Sequence, residues 1–117
     1  MSKFFKKVGE RILKPAKFAD GTVCDGVKFF TFATGEKMMP TSMIYKSGAK
    51  VPPHSHPHEQ VGVVISGKFE MRIGEEKMKL ESGDSYFVPG DVEHEIAALS
   101  DGEIFDTFSP PRDEYRD

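Results

Sequence analysis

The sequence predicts an all-β sandwich or barrel in one small domain, and two observations predict it. Short apolar runs recur along the 117 residues with Gly, Pro, Asp and Ser between them, a rhythm typical of all-β folds. The length of 117 residues suits one domain and is enough to bury a core without a disulfide scaffold. The net charge of −3 indicates no basic surface of the kind that binds nucleic acid.

The first predicted strands cover residues 27–34 and 41–45. Residues 61–65 are apolar without alternation, so we expect both faces of this strand to be covered. Residues 68–73 alternate between polar and apolar, which indicates a half-buried strand, and the turn at 74–76 leads into its hairpin partner.

Later strands are predicted at residues 86–88, 92–99 and 103–108. Alternation along the last one places Ile104, Asp106 and Phe108 on one face. From this pattern alone, Asp106 lies either in the barrel interior or in solvent. Both alternatives stay open at this point.

No apolar run approaches the roughly 18 residues needed to span a bilayer, and the N-terminus lacks an apolar stretch of signal-peptide length. The single Cys24 cannot form an intrachain disulfide, and we expect it to be a small buried hydrophobe in a reducing compartment. A cytoplasmic protein without a membrane partner is therefore expected. Gly9 and Pro15 interrupt the basic and apolar segment 3–17, which favours an arm packed on protein over a membrane-surface helix.

Three of the four histidines, His54, His56 and His58, fall within one short run. On a strand, His54 and His56 point to the same face, and neutral imidazoles suit Zn, Mn, Fe, Co or Ni. Gln60 has the same parity, although Pro57 bends the chain between them. Spacing alone leaves a metal site and ordinary hydrogen-bonded histidines as alternatives.

The segment from Gly48 to Gly67 resembles the first motif of the cupin family. Its steps are Gly48, His54, His56, Gln60 and Gly67, at the spacing of that family. Glutamine stands where the family usually has glutamate. The resemblance implies a cupin double-stranded β-helix, a jelly-roll barrel, with a short N-terminal arm.

The second cupin motif appears as Gly83, Pro89 and His94, also at the family spacing. It departs from the family twice. Gly90 follows Pro89 directly where one intervening residue is usual, and Ala98 stands where asparagine is common.

The two motifs together imply one bound divalent transition metal of unspecified identity (Ni, Zn, Mn, Fe or Co). The implied ligands are His54, His56, Gln60 and His94, and His58 is expected outside this set. Because Gln60 is neutral, the site would keep the full charge of the metal and favour an anionic ligand.

The resemblance also implies an organisation of arm and first strands, cupin barrel and tail, over residues 1–26, 27–109 and 110–117. Cupins commonly pair as dimers through barrel strands and N-terminal arms. The apolar run at 61–65 and the Phe4–Phe5 pair in the arm are compatible with that, so a homodimer is expected.

Residues 106–112 resemble the ending of the KdgF family of pectin-degradation proteins, and residues 54–60 are similar to that family as well. Those proteins convert ring-form 4,5-unsaturated uronates into linear keto sugars. The resemblance implies that Asp106, Phe108 and Arg112 are active-site residues beside the metal, acting on a small anionic sugar.

Two other functions remain as alternatives. One is a cupin dioxygenase, although these more often carry the glutamate that Gln60 replaces. The other is a non-catalytic domain that binds or senses a small molecule such as a sugar. No pair of DNA-binding helices is predicted.

Overall fold

The computed structural model describes residues 2–18 and 20–117 as an antiparallel β-structure. Its strands are β1 Lys14–Lys17, β2 Val23–Thr31, β3 Met39–Tyr45, β4 Lys50–His54, β5 Glu59–Ser66, β6 Lys68–Ile73, β7 Glu76–Glu81, β8 Ser85–Val88, β9 His94–Ala98 and β10 Gly102–Ser109. They form a six-stranded sheet in the order β1-β2-β3-β10-β5-β8 and a four-stranded sheet in the order β4-β9-β6-β7. The all-β prediction is confirmed.

Two short 3-10 helices, Val8–Glu10 and Asp113–Tyr115, lie towards the ends of the chain. Among residues 2–18 and 20–117, no helix has both the length and the apolar character needed to cross a membrane.

The hydrophobic core lies between the two sheets. The six-stranded sheet contributes the fully buried side chains of Val64 on β5 and Ile104 on β10. The four-stranded sheet contributes the fully buried Phe69 on β6. The rings of Tyr45 and Phe69 meet edge to face with their centroids 5.1 Å apart, which joins the sheets directly. Cys24 is buried in the same cluster, as the sequence predicted.

Strand β10 lies between β3 and β5 and determines which side chains enter the barrel. Ile104, Asp106 and Phe108 are buried along its inner face. In the register, Asp106 is opposite Gly62 of β5, and Phe108 is opposite Gln60. Asp106 therefore lies in the barrel interior, which decides the alternative that its sequence pattern left open.

The prediction that both faces of residues 61–65 are covered is wrong for the single chain. Val61, Val63 and Ile65 point outward and are 36–50% exposed. Buried and exposed positions do alternate along this strand. Its inward positions include Gly62, whose lack of a side chain makes the alternation invisible in the pattern of polar and apolar residues. These three side chains form an apolar stripe on the outside of the six-stranded sheet.

The two ends of the chain meet beside the six-stranded sheet. The Lys6 ammonium donates to the Thr31 carbonyl at 2.7 Å and forms an ion pair with Asp117. In the tail, the Tyr115 ring lies 4.6 Å from the ring of Phe29, centroid to centroid. These contacts hold the tail against the barrel near its buried polar residues.

Candidate active site

Three histidines converge at one end of the barrel. His54 is the last residue of β4 and His94 the first of β9, and the pairing of these strands places the two residues opposite each other. His56 lies in the segment that leads from β4 into β5. One ring nitrogen from each of the three lies within 4.8 Å of the others, a separation at which they could hold one metal ion.

Backbone carbonyls fix the tautomer of these three imidazoles. In each ring Nδ1 lies within hydrogen-bond distance of a carbonyl oxygen two residues away. The partners of His54, His56 and His94 are Pro52 at 2.8 Å, His58 at 3.0 Å and Val92 at 2.9 Å. Because a carbonyl can only accept, Nδ1 is the protonated nitrogen, and each neutral ring keeps a lone pair on Nε2.

Burial keeps the cluster neutral. It lowers the pKa of His54, and it lowers the pKa of His56 and His94 to about 4. The Nε2 atom of His94 is buried and has no hydrogen-bond partner within residues 2–18 and 20–117. A buried lone pair without a donor is costly unless a cation fills the space, so these residues fit a divalent transition metal.

Gln60 completes the cluster from β5. Its side-chain carbonyl oxygen lies 3.2 Å from Nε2 of His56. With the proton of His56 on Nδ1, two lone pairs face each other across this distance, and a shared cation would relieve their repulsion. The amide nitrogen of Gln60 points the other way and donates to Oδ1 of Asp106 at 3.1 Å.

Asp106 is a fully buried carboxyl next to this cluster. Burial raises its pKa to about 6, against the opposite effect of hydrogen bonds from Tyr86 and Gln60. The Tyr86 hydroxyl donates to Oδ1 at 2.5 Å. Burial beside Asp106 raises the pKa of Tyr86 well above its ordinary value, so the phenol stays a proton donor.

Reasoning from the sequence missed Tyr86, but a signal for a close approach was present. A Cβ added at Gly62 would lie 2.2 Å from Cζ of Tyr86 and 2.4 Å from Oδ1 of Asp106. A glycine inside a run of β-branched residues indicates such an approach. The sequence does not tell which side chain comes near.

Phe108 and Arg112 border the same space. The buried Phe108 ring lies 5.8 Å from the ring of His56. The Arg112 guanidinium lies over Phe108 at 5.1 Å and over Tyr115 at 4.3 Å, and its Nε donates to Glu114 at 2.6 Å. Stacking and this ion pair together orient the guanidinium.

The structure thus brings all seven residues singled out from the sequence into one region: His54, His56, Gln60, His94, Asp106, Phe108 and Arg112. His58 is outside the three-histidine group, with its ring centroid 5.7 Å from that of His56.

Comparison with known proteins agrees with this geometry. A family model described as the cupin domain matches residues 41–107, more than half of the chain. This chain belongs to the cupin family. The pectin degradation protein KdgF of Dickeya dadantii (strain 3937) is 33% identical over 93 residues, which are 78% of this cupin and 84% of that protein.

Two solved structures match nearly the whole cupin. KdgF from Halomonas sp. superposes with a TM-score of 0.83 at 29% identity, covering 99% of this chain and 100% of that one. An RmlC-like cupin from Shewanella frigidimarina NCIMB 400 gives a TM-score of 0.85 at 27% identity, covering 98% and 97%. The predicted cupin barrel and the likeness to KdgF are both confirmed.

One departure of this cupin from the family motif has a structural reason. A Cβ at Gly90 would lie 2.6 Å from the Pro57 carbonyl oxygen, so only glycine fits there. The next amide, of Asp91, donates to the His56 carbonyl at 2.8 Å. The turn after β8 therefore packs tightly on the segment that carries His56.

Proposed function

We propose that this cupin is a metal-dependent enzyme that converts ring-form 4,5-unsaturated uronates into linear keto sugars. The observation that carries the proposal is Gln60, whose amide joins a cluster of imidazole lone pairs to a buried carboxyl, Asp106. A cation site in contact with a proton acceptor suits acid–base chemistry on a sugar. The match to KdgF, a protein named for pectin degradation, supports a uronate as substrate.

The proposed ligands of one divalent transition metal (Ni, Zn, Mn, Fe or Co) are His54, His56, Gln60 and His94. When bound, such an ion stabilises negative charge that develops on a substrate oxygen. All four side chains are neutral in this arrangement, so nothing in the ligand set cancels the charge of the metal. The site therefore favours an anion such as a uronate over a neutral sugar.

The reaction is an isomerisation that redistributes protons. The anomeric hydroxyl loses its proton as the ring C–O bond opens, and a proton is added to the carbon at the far end of the former double bond. Asp106 is the buried carboxyl beside the cluster, and we assign it the transfer of these protons.

Arg112 and Phe108 hold the substrate in this proposal. Because Nε of Arg112 is engaged by Glu114, its two terminal nitrogens are left to pair with the uronate carboxylate. Phe108 presents a buried ring next to His56, where it packs on the sugar and excludes water.

The proposal includes a cytoplasmic homodimer. The apolar stripe of Val61, Val63 and Ile65 and the exposed Phe4 and Phe5 are surfaces that a second copy would cover. Light scattering at working concentration is expected to give twice the mass of the chain. A monomeric mass would contradict this part.

The proposal is tested by the turnover of 4,5-unsaturated galacturonate with metal-loaded protein, followed as loss of the conjugated double-bond absorbance. We expect fast loss that a chelator abolishes and that consumes no oxygen. Oxygen uptake would point to a dioxygenase instead. Saturable binding of the sugar without product would point to a sensor.

A further inference from the structure

We propose that Tyr86 is a positioning residue that, together with Gln60, holds Asp106 so that only its Oδ2 oxygen exchanges protons with the substrate. The inference rests on the proposed function, because it concerns how Asp106 acts in that reaction. Neither of the two motifs that predicted the site includes Tyr86.

The two oxygens of the Asp106 carboxyl have different surroundings. Oδ1 accepts two hydrogen bonds, from the Tyr86 hydroxyl at 2.5 Å and from the Gln60 amide at 3.1 Å. No group within residues 2–18 and 20–117 donates a hydrogen bond to Oδ2. An oxygen that already accepts two strong donors is the poorer proton acceptor, so Oδ2 is left for the substrate.

The register of three neighbouring strands makes the Tyr86 contact possible. Tyr86 on β8 is opposite Gly62 on β5, and Gly62 is opposite Asp106 on β10. Strands two apart are separated by about 9.6 Å, so the phenol has to cross the middle strand to reach the carboxyl. It can do so only because Gly62 has no side chain, since a Cβ there would lie 2.2 Å from Cζ of Tyr86.

This arrangement restricts a torsion that is otherwise free. A carboxyl group rotates readily about its terminal bond, because that torsion has a broad energy minimum. Two donors on the same oxygen select one orientation and present the other oxygen in a constant direction. Fixing a reacting group before the substrate arrives raises the rate of the chemical step rather than the affinity.

The test is Tyr86→Phe, which removes one oxygen atom and keeps the ring. We expect kcat to fall about tenfold or more while KM stays within about twofold, since a hydrogen bond to a charged group is lost without loss of substrate contacts. Metal content and the thermal midpoint should match the wild type. Tyr45→Phe is the matched control, because Tyr45 is also buried in the barrel and donates no hydrogen bond to Asp106. It should leave kcat unchanged.

Crystal structures of the metal-loaded wild type and Tyr86→Phe give a readout that does not depend on turnover. We expect the Asp106 carboxyl to rotate or to adopt two orientations in the variant. An unmoved carboxyl, or an unchanged kcat, overturns the inference. If the wild type does not turn over the uronate, the proposed function fails, and the two structures alone decide whether Tyr86 orients Asp106.

Should Tyr86→Phe not fold, Tyr86→Leu also removes the hydroxyl that donates to Asp106 and keeps an apolar side chain at that position. It is expected to lower kcat in the same way, and full activity in this variant overturns the inference.

Discussion

The two halves of the barrel interior are built by the same strands and differ in what they contain. On β10, Ile104 is opposite Val64 in the apolar half, where hydrophobic side chains pack against each other. Two residues further, Asp106 is opposite Gly62, and the interior becomes polar. On β9, the buried Ala98 lies in the apolar half and the buried His94 lies in the polar half.

This difference separates stability from function along each strand. In the apolar half, hydrocarbon side chains such as Val64 and Ile104 need no hydrogen-bond partner, so their burial contributes directly to the free energy of unfolding. In the polar half, Nε2 of His94 is buried and has no hydrogen-bond partner from the described chain. Burying such groups costs stability, which is expected where a site awaits a ligand.

The largest expected effect in the polar half is that of Asp106→Asn. We expect kcat on 4,5-unsaturated galacturonate to fall by about 10²–10⁴-fold, because an amide cannot accept and return the proton. Metal content and the thermal midpoint should stay close to those of the wild type.

Asp101→Asn is the control for that variant, since Asp101 accepts a hydrogen bond from the Ser47 amide in a surface turn. Normal turnover by Asp106→Asn would remove this carboxyl from the mechanism and leave the polar half without its proposed proton carrier.

The matching change in the apolar half is Phe69→Ala. Phe69 is fully buried and packs on Tyr45, so its truncation should lower the free energy of unfolding by about 3–5 kcal/mol. Denaturant unfolding measures this, with the exposed Met78→Ala as the control. The folded fraction should keep its kcat. A selective loss of kcat at full stability would show that the two halves are not separate.

Gln60→Glu tests whether the charge of the ligand set controls the binding of an anion. It adds a negative charge to the ligand set and places a second carboxylate where the Gln60 amide now donates to Asp106. We expect binding of a uronate, measured by calorimetry, to weaken about tenfold. Glu59→Gln, on the exposed neighbour, is the control. Equal or tighter binding by Gln60→Glu would contradict the charge argument.

A smaller effect is expected from Arg112→Lys. Lysine keeps the charge but loses the planar fork and its stacking over Tyr115, so KM should rise about tenfold with kcat little changed. Arg116→Lys changes a more exposed arginine of the same tail and should leave KM unchanged. If both variants behave alike, Arg112 does not bind the substrate carboxylate.

Much of this site could be predicted from the sequence because its residues lie close together along the chain or at family spacing. His54, His56 and Gln60 lie within one short segment, and His94 has its own motif. Alternation on β10 put Asp106 and Phe108 on one face, but only the fold shows that this face is the inner one.

Other features depend on register between strands that are distant in sequence. Tyr86 meets Asp106 only because β8, β5 and β10 align across Gly62, and no local pattern specifies that alignment. Tyr115, in a tail without strand character, packs on Phe29.

Elemental analysis with X-ray absorption spectroscopy on the purified protein tests most directly whether the polar half of the barrel holds one metal ion. We expect one divalent transition metal per chain, bound by three imidazole nitrogens and an oxygen, and loss of that metal in His94→Ala. A chain that takes up no stoichiometric metal, or one whose metal has no imidazole ligands, would contradict it.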